Sequence, residues 1–140
     1  MSVIDITQSK LDKILLPHGI TSHHIRRVDV DSIVLNGEEI PVNKDEYVVY
    51  RLISSPPGAF GDGKALTTRR RIDVNYYYSY EKTDSRYAEV EQRIKDIIKE
   101  FTTDTMIRLA NGQSDIYDLD NPYRGINVEF SFSEVVTDGE

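Results

Sequence analysis

Arg71-Ile72-Asp73-Val74-Asn75-Tyr76-Tyr77-Tyr78 reads as a β-strand whose two faces are unlike. Ile72, Val74, Tyr76 and Tyr78 fall on one side, while Arg71, Asp73, Asn75 and Tyr77 fall on the other. Successive side chains of a strand point to opposite faces, so this alternation predicts a sheet with one face buried. Extended back to Leu66 and on to Ser79, the strand would run roughly 45 Å at about 3.3 Å per residue. For a chain of this size, either the strand bends or its first part projects beyond the body.

The surrounding sequence repeats the theme. In Tyr123 to Val136, the residues Ile126, Val128, Phe130 and Phe132 alternate with Asn127, Glu129, Ser131 and Ser133. Glu46 to Ser54 is apolar on both faces, which predicts a central position or a second covered face. Ser32 to Val42 predicts a hairpin, because Ile33 and Leu35 precede an Asn36-Gly37 turn. Thr105 to Leu109 and Ser114 to Leu119 read as short strands separated by an Asn111-Gly112 turn, with Asp118 and Asp120 as turn caps.

Two helices complete the pattern. Asp84 to Phe101 sets Tyr87, Val90, Ile94, Ile97, Ile98 and Phe101 in one stripe, with charged residues over the remainder. Asp5 to Leu16 is shorter, with Leu11, Ile14 and Leu15 inward, Asp5 or Thr7 as cap, and Pro17 and Gly19 ending it. The expected fold class is α+β, two-layer: a twisted antiparallel sheet packed against a long amphipathic helix plus a short N-terminal helix. One domain over residues 1–140 is expected, with 1–4 and 137–140 frayed.

Composition narrows the chemistry. The chain has no cysteine, which removes disulfides and thiolate sites. It carries 24 acidic and 17 basic residues, a net charge of -7, so it lacks the basic footprint of nonspecific nucleic-acid binding. No apolar run approaches the ~18 residues of a membrane span, and no signal peptide is expected. His23 and His24 are adjacent, so on a strand they point apart, and no third ligand stands at a metal-binding spacing. Asp115, Asp118 and Asp120 lack the glycine and terminal glutamate of a calcium loop. No nucleophile is placed on a G-x-S-x-G elbow. The expectation is therefore a binding part with no catalysis, no cofactor and no metal.

Three features suit binding. There are nine tyrosines and no tryptophan, with Tyr76, Tyr77, Tyr78 and Tyr80 grouped together. An apolar ring with a polar tip fits either an interface or a sheet face that packs rings edge-on, and both readings stand. Arg69, Arg70 and Arg71 cannot share one strand face. They suggest edge charges, subunit salt bridges or protection against edge pairing. Ser55 to Lys64 holds Pro56, Pro57, Gly58, Gly61 and Gly63, but its spacing and its place between strands do not fit a phosphate loop. It is expected to be a long exposed loop with Phe60 at a hydrophobic tip.

The chain resembles the small tail-completion, or tail-terminator, proteins of long-tailed bacteriophages and prophages. The resemblance rests on Tyr47-Val48-Val49-Tyr50-Arg51 with the proline and glycine segment after it, Arg71 to Tyr77, the helix from Ala88 to Phe101, Ile116-Tyr117-Asp118, Tyr123-Arg124, and Ile126 to Phe132. It implies a structural protein that assembles as a ring, commonly of six copies, and that can be a monomer when isolated. Such a ring caps the tail tube, stops its growth and joins the tail to the head connector. The implied partners are the protein itself, the tail tube protein and the head connector protein. DNA only passes through the channel, and no membrane is involved. The implied location is the tail-head junction of the virion, reached from the host cytoplasm during assembly.

Phe60, Lys64, Arg69, Arg70, Arg71, Tyr77 and Tyr80 are the candidate subunit or partner contacts. Some of Asp62, Glu81, Asp84 and Asp120 would line the channel, where like charge keeps DNA from sticking. The alternatives are a head-side connector or neck protein of the same particle and, more distantly, a host adaptor or peptide-binding module.

Overall fold

The computed structural model describes residues 2–53, 57–61, 64–79, 85–116 and 123–135, with side chains over 2–53, 70–79, 87–116 and 123–133. The chain folds as mixed α+β. Its elements run α1 (Val3–Leu15), a short 3-10 turn (Leu16–His18), β1 (Thr21–His24), β2 (Ser32–Leu35), β3 (Glu38–Pro41), β4 (Glu46–Ile53), β5 (Pro57–Gly61), β6 (Lys64–Ser79), α2 (Ser85–Thr102), β7 (Ile107–Ile116) and β8 (Tyr123–Val135).

The main sheet has the order β1-β4-β6-β8-β7, with β5 added to β6, and β2 and β3 form a separate hairpin. The expected sheet was antiparallel throughout, but β1 pairs with β4 in parallel. Parallel neighbours need a crossover of a dozen or more residues, and residues 25–45 supply one that contains the β2–β3 hairpin. That hairpin turns at Asn36-Gly37, where both residues have positive φ, 52° and 82°. These are the left-handed conformations that a two-residue hairpin demands.

The alternation in β6 translates directly into burial. Ile72, Val74, Tyr76 and Tyr78 lie in one core cluster with Ile126, Val128, Phe130 and Phe132 of β8. From the helices, α2 contributes Val90, Ile94, Ile97 and Phe101, and α1 contributes Val3, Leu11 and Leu15. Phe101 stacks on Phe130 with ring centroids 4.3 Å apart. Each such fully buried side chain stabilises the fold by about 1.5–3 kcal/mol relative to exposure. Tyr87, at the margin of the helical stripe, remains exposed.

Three sequence expectations are corrected. Residues 2–4 are not frayed: Ser2, rather than Asp5 or Thr7, caps α1 by accepting from the Asp5 N–H at 3.1 Å, and Val3 is buried. Thr7 is buried and donates to the Val3 carbonyl at 2.8 Å. Asn111-Gly112 is not a turn between two strands. It sits inside β7, where two register shifts against β8 absorb the extra residues. An edge strand with a bulge bends locally and can resume its pairing on the far side.

The third correction concerns the proline and glycine segment. Pro57–Gly61 is a strand paired antiparallel with the start of β6, with register shifts on both sides of Ala59. Proline is tolerated as the first residue of a strand at a sheet edge, and the bulges accommodate the rest. Since β4 pairs with residues 71–78 of β6 and β5 with residues 64–68, the two lie end to end along the same side of β6. The result is one long hairpin arm.

Candidate interaction surface

The helices cover one face of the sheet and leave the other open. Cross-strand register sets the open face in rows: Tyr47, Tyr77 and Gly125; Val49, Asn75 and Asn127; Arg51, Asp73 and Glu129; Ile53, Arg71 and Ser131. Aromatic, polar and cationic zones follow one another along this face.

The aromatic zone is built around Tyr47. Its ring stacks on Tyr77 at 5.1 Å between centroids and meets Tyr123 edge-on at 5.4 Å. The Arg27 guanidinium lies over it, 4.2 Å from the centroid. Gly125 makes the packing possible. A Cβ there would come within 3.0 Å of the Ile116 side chain and 3.2 Å of the Tyr77 ring. Burial lifts the Tyr47 phenol above its ordinary range, opposed by Arg27, and burial also lifts Tyr77, reinforced by Asp73. Both phenols are therefore neutral hydrogen-bonding groups at physiological pH.

The central zone holds a carboxylate buried on a face without helices. Asp73 is only 6% exposed. Its Oδ2 accepts from Arg51 Nε at 3.1 Å and from Asn75 Nδ2 at 3.2 Å, and its Oδ1 accepts from Asn127 Nδ2. Charge-assisted bonds of this kind satisfy the carboxylate and fix the side chains of three strands relative to one another.

At the far end, Arg71, Arg108, Leu109, Ala110, Ser131 and Ser133 line a groove of about 260 Å³. Arg71 is exposed and reaches the Glu129 carboxylate only at 3.9 Å. Arg70 lies opposite Phe132, on the helix-covered side by alternation, and yet it is exposed. Among the described side chains of β6, Ile72 is thus the last buried one in this direction, while Phe132 and Ile107 extend the core one row further on β8 and β7. Because β6 is paired on both sides at Arg71, with Ile53 and with Ser131, protection of a sheet edge is not the reason for this arginine.

The other expected contact residues divide as follows. Arg69 pairs with Ser133, Lys64 opens β6 opposite Gly61, and Phe60 pairs with Ala65 inside β5 rather than at a loop tip. Tyr77 belongs to the aromatic zone. Tyr80 and the acidic residues Asp62, Glu81, Asp84 and Asp120 lie outside the described residues, as do the caps Asp118 and Asp120. Phe60, Lys64 and Arg69 are brought to the arm, Arg70 and Arg71 to its root, and Tyr77 to the opposite end of the sheet.

The histidines separate as their adjacency requires. His23 Nδ1 accepts from the Val28 N–H at 3.3 Å, and its other ring nitrogen meets Thr21 Oγ1 at 2.7 Å. Burial, helped by Arg27, lowers the His23 pKa. His24 stacks on Tyr50 at 5.4 Å. Among the described residues no group of three or more metal-ligating side chains converges.

Sequence reasoning missed two features. Glu46, 2% exposed, is held beneath α2 by Arg93 Nη1 at 2.6 Å, the Tyr76 hydroxyl at 2.8 Å and Asn43 Nδ2 at 2.9 Å. The second is the segment around the β2–β3 hairpin, where Ile25, Val28, Val30 and Val34 are all exposed. Valines alternating with aspartates over Val28 to Asp31 were the available signal.

No protein-family model matches the chain, and no curated protein matches it. Among solved structures that match, one superposes over 100% of this chain and 99% of its own with a TM-score of 0.54 at 14% identity. A likeness at that identity is one of fold alone. None of the helices over the described residues is long and apolar enough to cross a membrane.

Proposed function

We propose that this chain is a structural virion protein that closes the end of a phage tail tube as a ring and joins the tail to the head connector. It acts by contact, without catalysis, and the ring places it at the tail-head junction. The observation that carries this reading is the β4–β5/β6 hairpin arm, whose backbone stays paired over residues 64–68, beyond Ile72, the last buried position among the described side chains of β6. A paired arm keeps its backbone shape where it meets a neighbour. The rest of the expected architecture suits the role: α2 buries one apolar stripe against the sheet in a two-layer arrangement and leaves the opposite sheet face open. The resemblance in the order of the segments and the size of the chain supplies the particular assembly.

The test is electron microscopy of purified tail tubes mixed with the protein. A ring at one end of the tube is the expected image. Decoration of the portal end of heads instead would make the chain a neck subunit, and binding to neither would favour an adaptor role.

A further inference from the structure

We propose that the β2–β3 hairpin of one copy seats on the Arg71–Arg108 groove of the next, so that these two corners are the halves of one subunit contact. The inference rests on the ring reading and specifies which surfaces meet.

Both corners expose apolar side chains. Ile25 (68%) follows β1 beside Tyr50, Val28 and Val30 lead into the hairpin, Val34 (72%) lies on it, and Met106 and Leu109 (41%) flank the groove. Exposed apolar side chains gathered in one place mark interaction surfaces more than scattered ones do. Ile25 also has φ 75°, which is rare for a β-branched residue, and its N–H is anchored to the Tyr50 carbonyl at 2.9 Å.

The charges of the two corners are opposite. On the hairpin, Glu38 and Glu39 pair across strands with Leu35 and the exposed Val34, and Glu39 accepts from Ser32 at 2.8 Å. The basic residues nearby are largely engaged elsewhere: Lys44 bridges Asp29 and Asp31, and Arg27 covers Tyr47, while Arg26 stands exposed at the base of the segment. The groove presents Arg71 and Arg108, with Glu129 at 3.9 Å from Arg71. Its volume, about 260 Å³, falls below the roughly 300–1,000 Å³ of small-molecule pockets and suits a few protein side chains.

Placement completes the argument. The hairpin lies in the β1-to-β4 crossover and the groove lies against β7, and β1 and β7 are the two ends of the sheet order. The hairpin is tied to the Tyr47 end of β4 through Arg27, whereas the groove is level with Ile53 at the other end. Two unlike patches on opposite flanks make a heterologous contact, which propagates from copy to copy and closes when the rotation closes.

The test uses two variants. Glu38→Lys/Glu39→Lys makes both corners basic, and Arg71→Glu/Arg108→Glu makes both acidic. Each variant alone should lose self-association by about a hundredfold or more, as expected for like charges placed opposite each other. An equimolar mixture should regain it as an alternating assembly, and so should the quadruple variant. Sedimentation over a concentration series reads the association, and circular dichroism confirms that each variant is folded.

A second measurement uses the absence of cysteine from the natural chain. Val34→Cys and Leu109→Cys variants, mixed and oxidised, should form a covalent dimer that neither forms alone. Self-association that ignores the swaps would overturn this contact and leave the ring reading standing. Where the wild-type chain is monomeric in solution, the same swaps are read as ring formation on tail tubes, and rings that neither single swap reduces would overturn this contact and leave the ring reading standing.

Discussion

The two faces of the sheet each bury a carboxylate, and they do so by different means. Glu46 sits on the helix-covered face, with its charge met by Arg93 of α2, whose side chain is only 14% exposed. Asp73 sits on the open face, met by Arg51, whose side chain is 64% exposed, by Asn75 of its own strand and by Asn127 of the neighbouring β8. The first is a core ion pair that locks a helix to the sheet. The second is a lid of polar side chains that closes an open face without making it apolar. A sheet can thus keep one surface available for contact and still hold its strands in register.

The largest expected difference comes from removing each cation. Arg93→Met leaves Glu46 buried without its charge partner and should lower stability by about 3–5 kcal/mol, most of it recovered when Glu46→Leu is added. Arg51→Met should lower stability by less than about 1 kcal/mol, because the pair is half in solvent and the asparagines remain. Urea denaturation compares them, and equal losses would erase the distinction between the faces.

Packing should divide the faces in the same direction. Phe101→Ala opens a cavity against Phe130 and should lower stability by about 3–5 kcal/mol. Gly125→Ala on the open face forces a Cβ against Tyr77 and Ile116 and should lower it by about 1–3 kcal/mol.

Alkaline titration sharpens the comparison further. Burial raises the Tyr50 phenol to about 12, and its hydroxyl donates to Gln8 at 2.6 Å. Tyr76, bonded to Glu46, is raised further, chiefly by burial. A phenol whose pKa is higher folded than unfolded stabilises the fold fully below its unfolded value of 10.0. That contribution is lost as pH rises toward about 12. Stability measured by denaturant should therefore fall from pH 10 upward, and Tyr50→Phe should flatten the decline. The smallest effect is expected at the groove, where Arg108→Ala should change stability by no more than about 0.5 kcal/mol.

Much of the fold was legible because alternation is a local property. Ile72 to Tyr78 and Ile126 to Phe132 each determine which face is buried without knowledge of their partners. Pairing was less legible. Pro57–Gly61 carries every signal of a loop, and only the presence of β6 beside it supplies the bonds that make it a strand. Asn111-Gly112 likewise carries a turn signal that β8 overrides. Glu46 gave no warning of burial, because its partners Tyr76 and Arg93 are distant in sequence. Of the candidate contacts, Arg71 and Tyr77 were read on their correct face, but they belong to opposite ends of it. Distance along a strand is set by register, which residue type does not reveal.

The central claim, that this chain caps a growing tube, is tested most directly by polymerising the tail tube protein with and without it and measuring tube lengths by electron microscopy. The account predicts short tubes of narrow length distribution, each with a ring at one end, and overlong tubes when the chain is omitted. Equal length distributions in the two preparations, with no ring on any tube, would contradict it.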